Sequence, residues 1–144
     1  MSTCEHRIIY LGGMNHAYSS KFQRTVALSA AEGEYMALSM CVQYVLWTRA
    51  LLTDMEMCQR NATTIWEDNQ GAITLAQNAG RHTRTKHVDI RHRFVRGNVE
   101  RGTVKVEYVD TKKQLVHIMT KALATKLLNF LRDGSNIKEK VAIP

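Results

Sequence analysis

The stretch Thr25–Tyr44, TVALSAAEGEYMALSMCVQY, decides how the rest of the chain is arranged. It holds Ser29 and Glu32 at the spacing of a helix capping box, in which each side chain accepts a backbone N–H of the other residue. Apolar residues then recur at steps of three and four, which predicts one buried helix face. These residues are Tyr35, Leu38, Val42, Val45 and Leu46. The pattern predicts a long helix that begins after Ser29 and ends near Met57.

The length and composition of the chain fit a single domain. It has 144 residues, of which 44% are hydrophobic, and no apolar run is long enough to cross a membrane. The prediction is one domain over residues 1–134 and a loose tail over residues 135–144. The cysteines form no CxxC pair and no secretory signal is present, which favours reduced thiols in an intracellular protein, cytoplasmic or nuclear.

Short β-prone and helix-prone runs predict the remaining elements. The predicted strands are His6–Leu11, Asn15–Ser20, Thr63–Glu67 and Thr103–Val109. The predicted helices are a short one capped by Asn69, a basic one over Lys86–Val99, and a long one over Lys112–Leu131 with Gly134 as its terminator. Trp47 and Trp66 are predicted to be core residues rather than platforms for base stacking.

Two acids stand out by their positions. Glu34 lies in the first turn of the predicted long helix, where the helix dipole favours an acid. Asp68 directly follows the strand Thr63–Glu67, and open α/β sheets bind ligands at the carboxyl ends of strands. If strand and helix pack side by side, both carboxylates face one point, as hard cations such as Mg²⁺ require. The alternative is that Glu34 answers only the helix dipole and Asp68 caps the following helix.

The formal net charge of +7 indicates a polyanionic partner or serves solubility alone. Basic residues concentrate in residues 81–96, RHTRTKHVDIRHRFVR. Such side chains hold phosphate backbones without regard to sequence, so this basic segment is a candidate nucleic-acid surface. The alternative is a solvated helix face. Zinc is disfavoured, because the histidine spacings fit neither a zinc finger nor an HExxH helix.

Four blocks of the chain closely resemble one protein family. They cover residues 19–38, 67–78, 81–102 and 106–123, and read SSKFQRTVALSAAEGEYMAL, EDNQGAITLAQN, RHTRTKHVDIRHRFVRGNVERG and VEYVDTKKQLVHIMTKAL. In this order they resemble the ribonuclease H domain of copia-type retrotransposon Pol polyproteins. The resemblance implies an α/β fold with a ribonuclease H-like mixed sheet of five strands flanked by helices. It also implies cleavage of RNA in RNA–DNA hybrids by two Mg²⁺ ions held by four acids, downstream of a reverse transcriptase region.

The resemblance extends to individual residues. It implies that Glu34, in the EYMAL block, and Asp68, in the DN dipeptide, are the catalytic and metal-binding acids. The basic segment supplies the expected nucleic-acid contacts, and Lys86 and His87 belong to the family's TKH block. The full set of expected contacts is Arg84, Lys86, His87 and Arg91.

Two of the four family acids have no counterpart in this chain. The first lies on an initial strand upstream of the hairpin, and residues 1–11 hold only Glu5, which is not in that motif. The fourth falls at His117, whose imidazole suits Mg²⁺ poorly. Two Mg²⁺ ions carry four positive charges, whereas Glu34 and Asp68 offer two negative ones, so at most one weakly bound ion is expected. The resemblance therefore implies a domain that is incomplete at its N-terminus, in which the hairpin and Thr63–Glu67 each expose an unpaired edge. Shifted strands or another chain would close the gap, but the expected outcome is a marginally stable product with a remnant of four strands.

Three functions follow from this comparison. A degenerate ribonuclease H domain without activity explains the missing acids most directly. An active enzyme completed by upstream sequence is opposed by His117, because truncation does not explain that residue. A non-catalytic module would keep the basic segment and bind RNA–DNA hybrid without cleaving it.

Overall fold

The computed structural model describes residues 4–11, 14–22, 27, 29–77, 86–115 and 123–135. Its helices are α1 (Ala30–Asp54), α2 (Gln70–Gln77), α3 (Lys86–Glu100) and α4 (Thr125–Gly134). Its strands are β1 (Cys4–Leu11), β2 (Met14–Phe22), β3 (Thr63–Glu67) and β4 (Val104–Tyr108). The chain divides into two compact units, of which the first spans residues 25–109 and the second holds β1, β2 and α4.

Helix α1 is the central element of the first unit. The backbone N–H of Glu32 donates to the Ser29 hydroxyl at 3.2 Å, which confirms the predicted N-cap. The apolar face that the spacing predicts is also confirmed, because Tyr35, Leu38 and Val42 are buried in the core.

Helix α1 ends at Asp54, before the predicted Met57. Met55 forms the C-cap, and Glu56 adopts a left-handed backbone conformation with φ of 61°. The N–H of Met57 then bonds to the carbonyl of Leu52 at 2.7 Å, which closes the helix end. Local turn geometry therefore stops the helix although its apolar pattern continues.

A parallel pair of strands forms the floor of this unit. Strands β3 and β4 pair in register from Thr63 opposite Val104 to Glu67 opposite Tyr108. Helices α1, α2 and α3 all contact this sheet. Ile65 and Val106 face them in the buried core, which confirms the predicted strands and the basic helix.

The two tryptophans were expected in the core, and this prediction is wrong. Trp47 and Trp66 are 64% and 54% exposed. Trp47 lies on the side of α1 opposite to Val42, and Trp66 points away from the face of β3 that holds Ile65, because side chains alternate along a strand. The position of each tryptophan in the repeat of its helix or strand, rather than its apolar character, decides whether its side chain is buried.

Arg49 fixes the connection between α1 and β3. Its guanidinium donates to the carbonyl oxygens of Gln59 at 2.6 Å and Asn61 at 2.8 Å, and to the hydroxyl of Thr63 at 2.9 Å. Hydrogen bonds from a charged donor are among the stronger ones, so this loop is held against the helix.

The second unit contains an antiparallel hairpin, as predicted. Strands β1 and β2 pair from Cys4 opposite Phe22 to Leu11 opposite Met14, with a bulge between Ile9 and Tyr10.

The prediction of one helix over Lys112–Leu131 is wrong. The Asp110 carboxylate accepts the N–H of Lys112 at 2.8 Å and caps a short 3-10 turn over Thr111–Lys113. Residues 123–124 are not helical either, and α4 runs from Thr125 to Gly134, the predicted terminator.

The described strands form two sheets rather than one. Strands β1 and β2 make one two-stranded sheet, and β3 and β4 make another. The α/β class is confirmed, whereas the expected single remnant of four strands is wrong. Among the described strands, no hydrogen-bonded pairing joins β1 or β2 to β3 or β4. Among the described helices, none combines the length and the apolar character needed to cross a membrane.

Gly71 allows α2 to approach the start of α1 closely. A Cβ atom on Gly71 would lie 2.9 Å from the Cβ of Ala31 and 3.0 Å from the side-chain oxygen of Asn69. The Cβ of Ala31 cannot move without its backbone, and the Asn69 oxygen is held by the N–H of Ala72, so the two helices would have to move apart. Glycine is therefore required here by space.

We expect Gly71→Ala to destabilise the protein by about 1–3 kcal/mol through overpacking, although helix propensity alone favours alanine. Urea unfolding measures the change. The matched control is the double variant Ala31→Gly/Gly71→Ala, which removes the opposing methyl group and should recover part of the loss as a coupling energy. An increase in stability from Gly71→Ala alone would contradict the close contact.

Candidate functional site

The carboxyl end of β3 forms a corner built from three consecutive polar residues. Glu67 is the last residue of β3 and is only 7% exposed. Its carboxylate accepts the backbone N–H of Asn69 at 3.0 Å. The side-chain oxygen of Asn69 in turn accepts the N–H of Ala72 at 3.2 Å, which confirms Asn69 as a cap of α2. Asp68 lies between them and is partly exposed.

The negative charges of Glu34 and Asp68 both affect the pKa of Glu67 at this corner. The pKa of Glu67 is raised to about 7, chiefly by burial and in smaller part by the negative charges of Glu34 and Asp68, against the lowering effect of hydrogen bonds from the backbone N–H groups of Asn69 and Asp68. Such an effect requires both carboxylates to be near the Glu67 side chain. The structure therefore brings the two sequence-predicted acids to the same end of β3, as the packing of helix on strand suggested.

The start of α1 is also tied to the basic helix α3. The Tyr35 ring, which follows Glu34, is buried and stacks on the His92 ring with centroids 4.3 Å apart. Its hydroxyl faces the carbonyl oxygen of His92 at 3.4 Å. Burial raises the pKa of Tyr35 well above its usual range, against the opposing effect of Arg96, so the phenol stays protonated. The acid corner and α3 are thus held in one packed unit.

Helix α3 carries the basic segment. Lys86 and His87 are its first residues, Arg91 is partly exposed, and Arg93 is exposed. Arg96 pairs with Glu100 at 3.5 Å, one helical turn away, which leaves one arginine of the helix partly neutralised. The predicted site residues Arg84 and His117 lie outside the described residues.

The donor set of the corner suits a hard cation only in part. Glu34 is exposed and Asp68 is partly exposed, and carboxylate oxygens are the ligands that Mg²⁺ prefers. Glu67 is buried and accepts a hydrogen bond from Asn69, and its raised pKa of about 7 disfavours the charged form that a metal ligand needs. Within the described ranges, no three histidine, cysteine, aspartate or glutamate side chains are arranged to hold a metal ion.

Glu67 is a site residue that the sequence patterns did not single out. The signal was present, because strand alternation places it on the same face as the buried Ile65. An acid on the buried face of a strand, next to a second acid, is unusual for a purely structural position.

Three plant transposon proteins are similar to this chain. It is 36% identical over 124 residues to the retrovirus-related Pol polyprotein from transposon RE1 of Arabidopsis thaliana, covering 85% of the chain and 8% of that protein. The corresponding polyprotein from transposon RE2 of Arabidopsis thaliana is 34% identical over 132 residues, covering 91% and 9%. The chain is homologous to a segment of retrotransposon Pol polyproteins.

The Pol polyprotein from transposon TNT 1-94 of Nicotiana tabacum matches as well, at 32% identity over 107 residues, which cover 74% of the chain and 8% of that protein. The chain thus spans less than a tenth of each of these polyproteins. No protein-family profile matches the chain, and no solved structure matches it.

We predict that the contribution of the buried Glu67 to the stability of the protein falls as the pH rises. Its pKa is about 7 in the folded chain and 4.5 ordinarily, so between these values the folded state binds a proton that the unfolded state has released. The contribution of Glu67 to the free energy of unfolding is complete below pH 4.5, the pKa in the unfolded chain. It is lost as the pH rises through about 7, the pKa in the folded chain, and the loss is about 3 kcal/mol.

Glu67→Gln should therefore be more stable than the parent at about pH 8 and similar to it at about pH 5. Urea unfolding with a chelator present measures both. Glu56→Gln, which removes an exposed carboxylate, is the control and should not reproduce this difference. Equal effects of the two substitutions would show that Glu67 is not buried against other charges.

Proposed function

We propose that the chain is a ribonuclease H-like segment of a retrotransposon Pol polyprotein with an incomplete metal site. Homology to Pol polyproteins over most of the chain supports the origin. The ribonuclease H assignment rests on the resemblance of the sequence blocks and on the α/β corner that combines Glu34 with Asp68.

One observation supports this proposal most strongly. Glu34, which begins the second turn of α1 rather than lying in the first turn as predicted, and Asp68, directly after β3, both raise the pKa of the same buried Glu67. These are the two acids that the family resemblance assigns to metal binding. Two carboxylates near one buried acid supply oxygen donors of the kind that Mg²⁺ prefers, which supports the proposal.

The retained acids supply too little negative charge for two-metal chemistry. Two ions held roughly 3.5–4 Å apart need several shared carboxylates. Glu34 and Asp68 offer two charges, and Glu67 adds little because its pKa of about 7 leaves it partly protonated. With His117 at the fourth family position, the chain binds at most one Mg²⁺ weakly. The chain is therefore a degenerate domain that does not hydrolyse hybrids.

Two other functions differ from this one in their consequences. An active ribonuclease H would need acids from a polyprotein segment outside this chain, and His117 would still stand in place of the fourth acid. A non-catalytic nucleic-acid-binding module is favoured by α3, because Arg91 and Arg93 reach the surface of a helix that begins at Lys86 and His87. The degenerate domain is compatible with such binding.

The first test is cleavage of a labelled RNA–DNA hybrid in the presence of Mg²⁺. We expect no product above the protein-free control, because the second ion lacks ligands. Asp68→Asn is the matched variant, since it removes one charge without changing the shape of the side chain. Cleavage by the parent chain that disappears in Asp68→Asn would contradict the proposal.

The second test is hybrid binding at increasing salt. If Arg84 and Lys86 contact phosphates, Arg84→Ala and Lys86→Ala should each weaken binding to the same extent for all hybrid sequences. Each should also reduce the slope of the logarithm of the binding constant against the logarithm of the salt concentration by about one. Arg60→Ala removes the same charge from the exposed loop before β3 and is the control. Equal loss in all three variants would indicate an effect of net charge only. No binding at moderate salt would exclude the binding module.

A further inference from the structure

The outer side of α1 and its C-cap, Met55, carry a row of exposed apolar side chains. Their exposed fractions are 39% for Tyr44, 64% for Trp47, 43% for Leu51 and 59% for Met55. Steps of three and four residues place them on one face, which we call the outer stripe. It lies opposite the buried Val42. Large apolar surfaces of this kind mark sites of protein contact.

The outer stripe is also free of charge over most of the helix. Between Glu34 and Asp54 the sequence has one charged residue, Arg49. Its guanidinium donates to the carbonyl oxygens of Gln59 and Asn61, so it is directed toward the loop before β3. A chain with a net charge of +7 therefore presents one long helix surface without cations.

This chemistry restricts the partner. Nucleic acid binds through lysine and arginine, which the stripe lacks. A helix that lies on a membrane surface combines its apolar side with flanking basic residues. The one basic residue between Tyr44 and Leu51 is Arg49, and its guanidinium is bound to the loop before β3. Tryptophan, tyrosine and methionine are the side chains enriched at protein interfaces. The partner is therefore a protein surface that is apolar and uncharged.

We propose that the outer stripe docks a second copy of this chain, with the two α1 helices packed antiparallel about a two-fold axis. Two chains of charge +7 repel each other wherever their basic surfaces meet, and the stripe is a surface where they can approach without that cost. A two-fold axis makes the stripe its own partner. With the axis between Trp47 and Leu51, Trp47 of one copy packs against Leu51 of the partner subunit, and Tyr44 lies near Met55 of the partner subunit.

The area of the stripe indicates a weak dimer. About half of the surface of the four large side chains is exposed. Together with the exposed neighbours Gln43 and Ala50, this gives roughly 500 Å² of accessible surface on each copy. The dimer would then bury about 1,000 Å² in total, which is the lower limit for a specific interface. Association should therefore depend on protein concentration and should survive high salt, because salt screens the repulsion between the copies.

Sedimentation equilibrium of nuclease-treated protein, without Mg²⁺ or nucleic acid, tests this proposal. The average mass should rise toward twice the monomer mass between low and several hundred micromolar protein, and more readily at high salt. Trp47→Glu should abolish the rise, because it would bury two uncompensated charges in the interface. Trp66→Glu is the matched control, since it changes the other exposed tryptophan on the outer side of β3, and it should leave the rise unchanged.

Leu51→Lys tests the same stripe independently if Trp47→Glu alters the circular dichroism spectrum. A monomer at every concentration would overturn the proposal and leave the stripe to a different partner. Equal effects of Trp47→Glu and Trp66→Glu would overturn it as well. Since no hybrid or metal is present, failure here leaves the proposed ribonuclease H-like origin untouched.

Discussion

The close approach of Gly71 to Ala31 is the contact on which the acid corner depends. It allows the start of α2 to lie against the first turn of α1, so that Asp68 and Glu34 reach the same end of β3. Because the carboxylates repel one another, attraction between them cannot assemble this corner. Backbone packing does so instead, and protein interiors yield little to added volume at such a contact.

The unfavourable effect of this packing falls mainly on the carboxylate of Glu67. An acid at this buried position loses hydration, and the bond from Asn69 offsets only part of that loss, which is why its pKa lies near 7. Perturbed acids of this kind gather at functional sites more often than elsewhere. In this chain the same perturbation makes Glu67 a poor ligand for a cation, because a metal ligand must give up its proton.

Local signals in the sequence predicted most of the first unit correctly. The caps at Ser29 and Asn69 and the alternation in Thr103–Val109 depend on neighbouring residues, and all of them are confirmed. Trp47 and Trp66 were assigned to the core from residue type, whereas the periods of their helix and strand turn them outward. The division of the strands into two sheets depends on contacts between distant segments, which local patterns do not contain.

Titration calorimetry with Mg²⁺ measures most directly whether the corner is short of negative charge. The chain should bind at most one ion, weakly, and Asp68→Asn should abolish that binding. Two ions bound per chain, both lost when Glu34 or Asp68 is neutralised, would show that other ligands complete the site and would contradict the degenerate assignment.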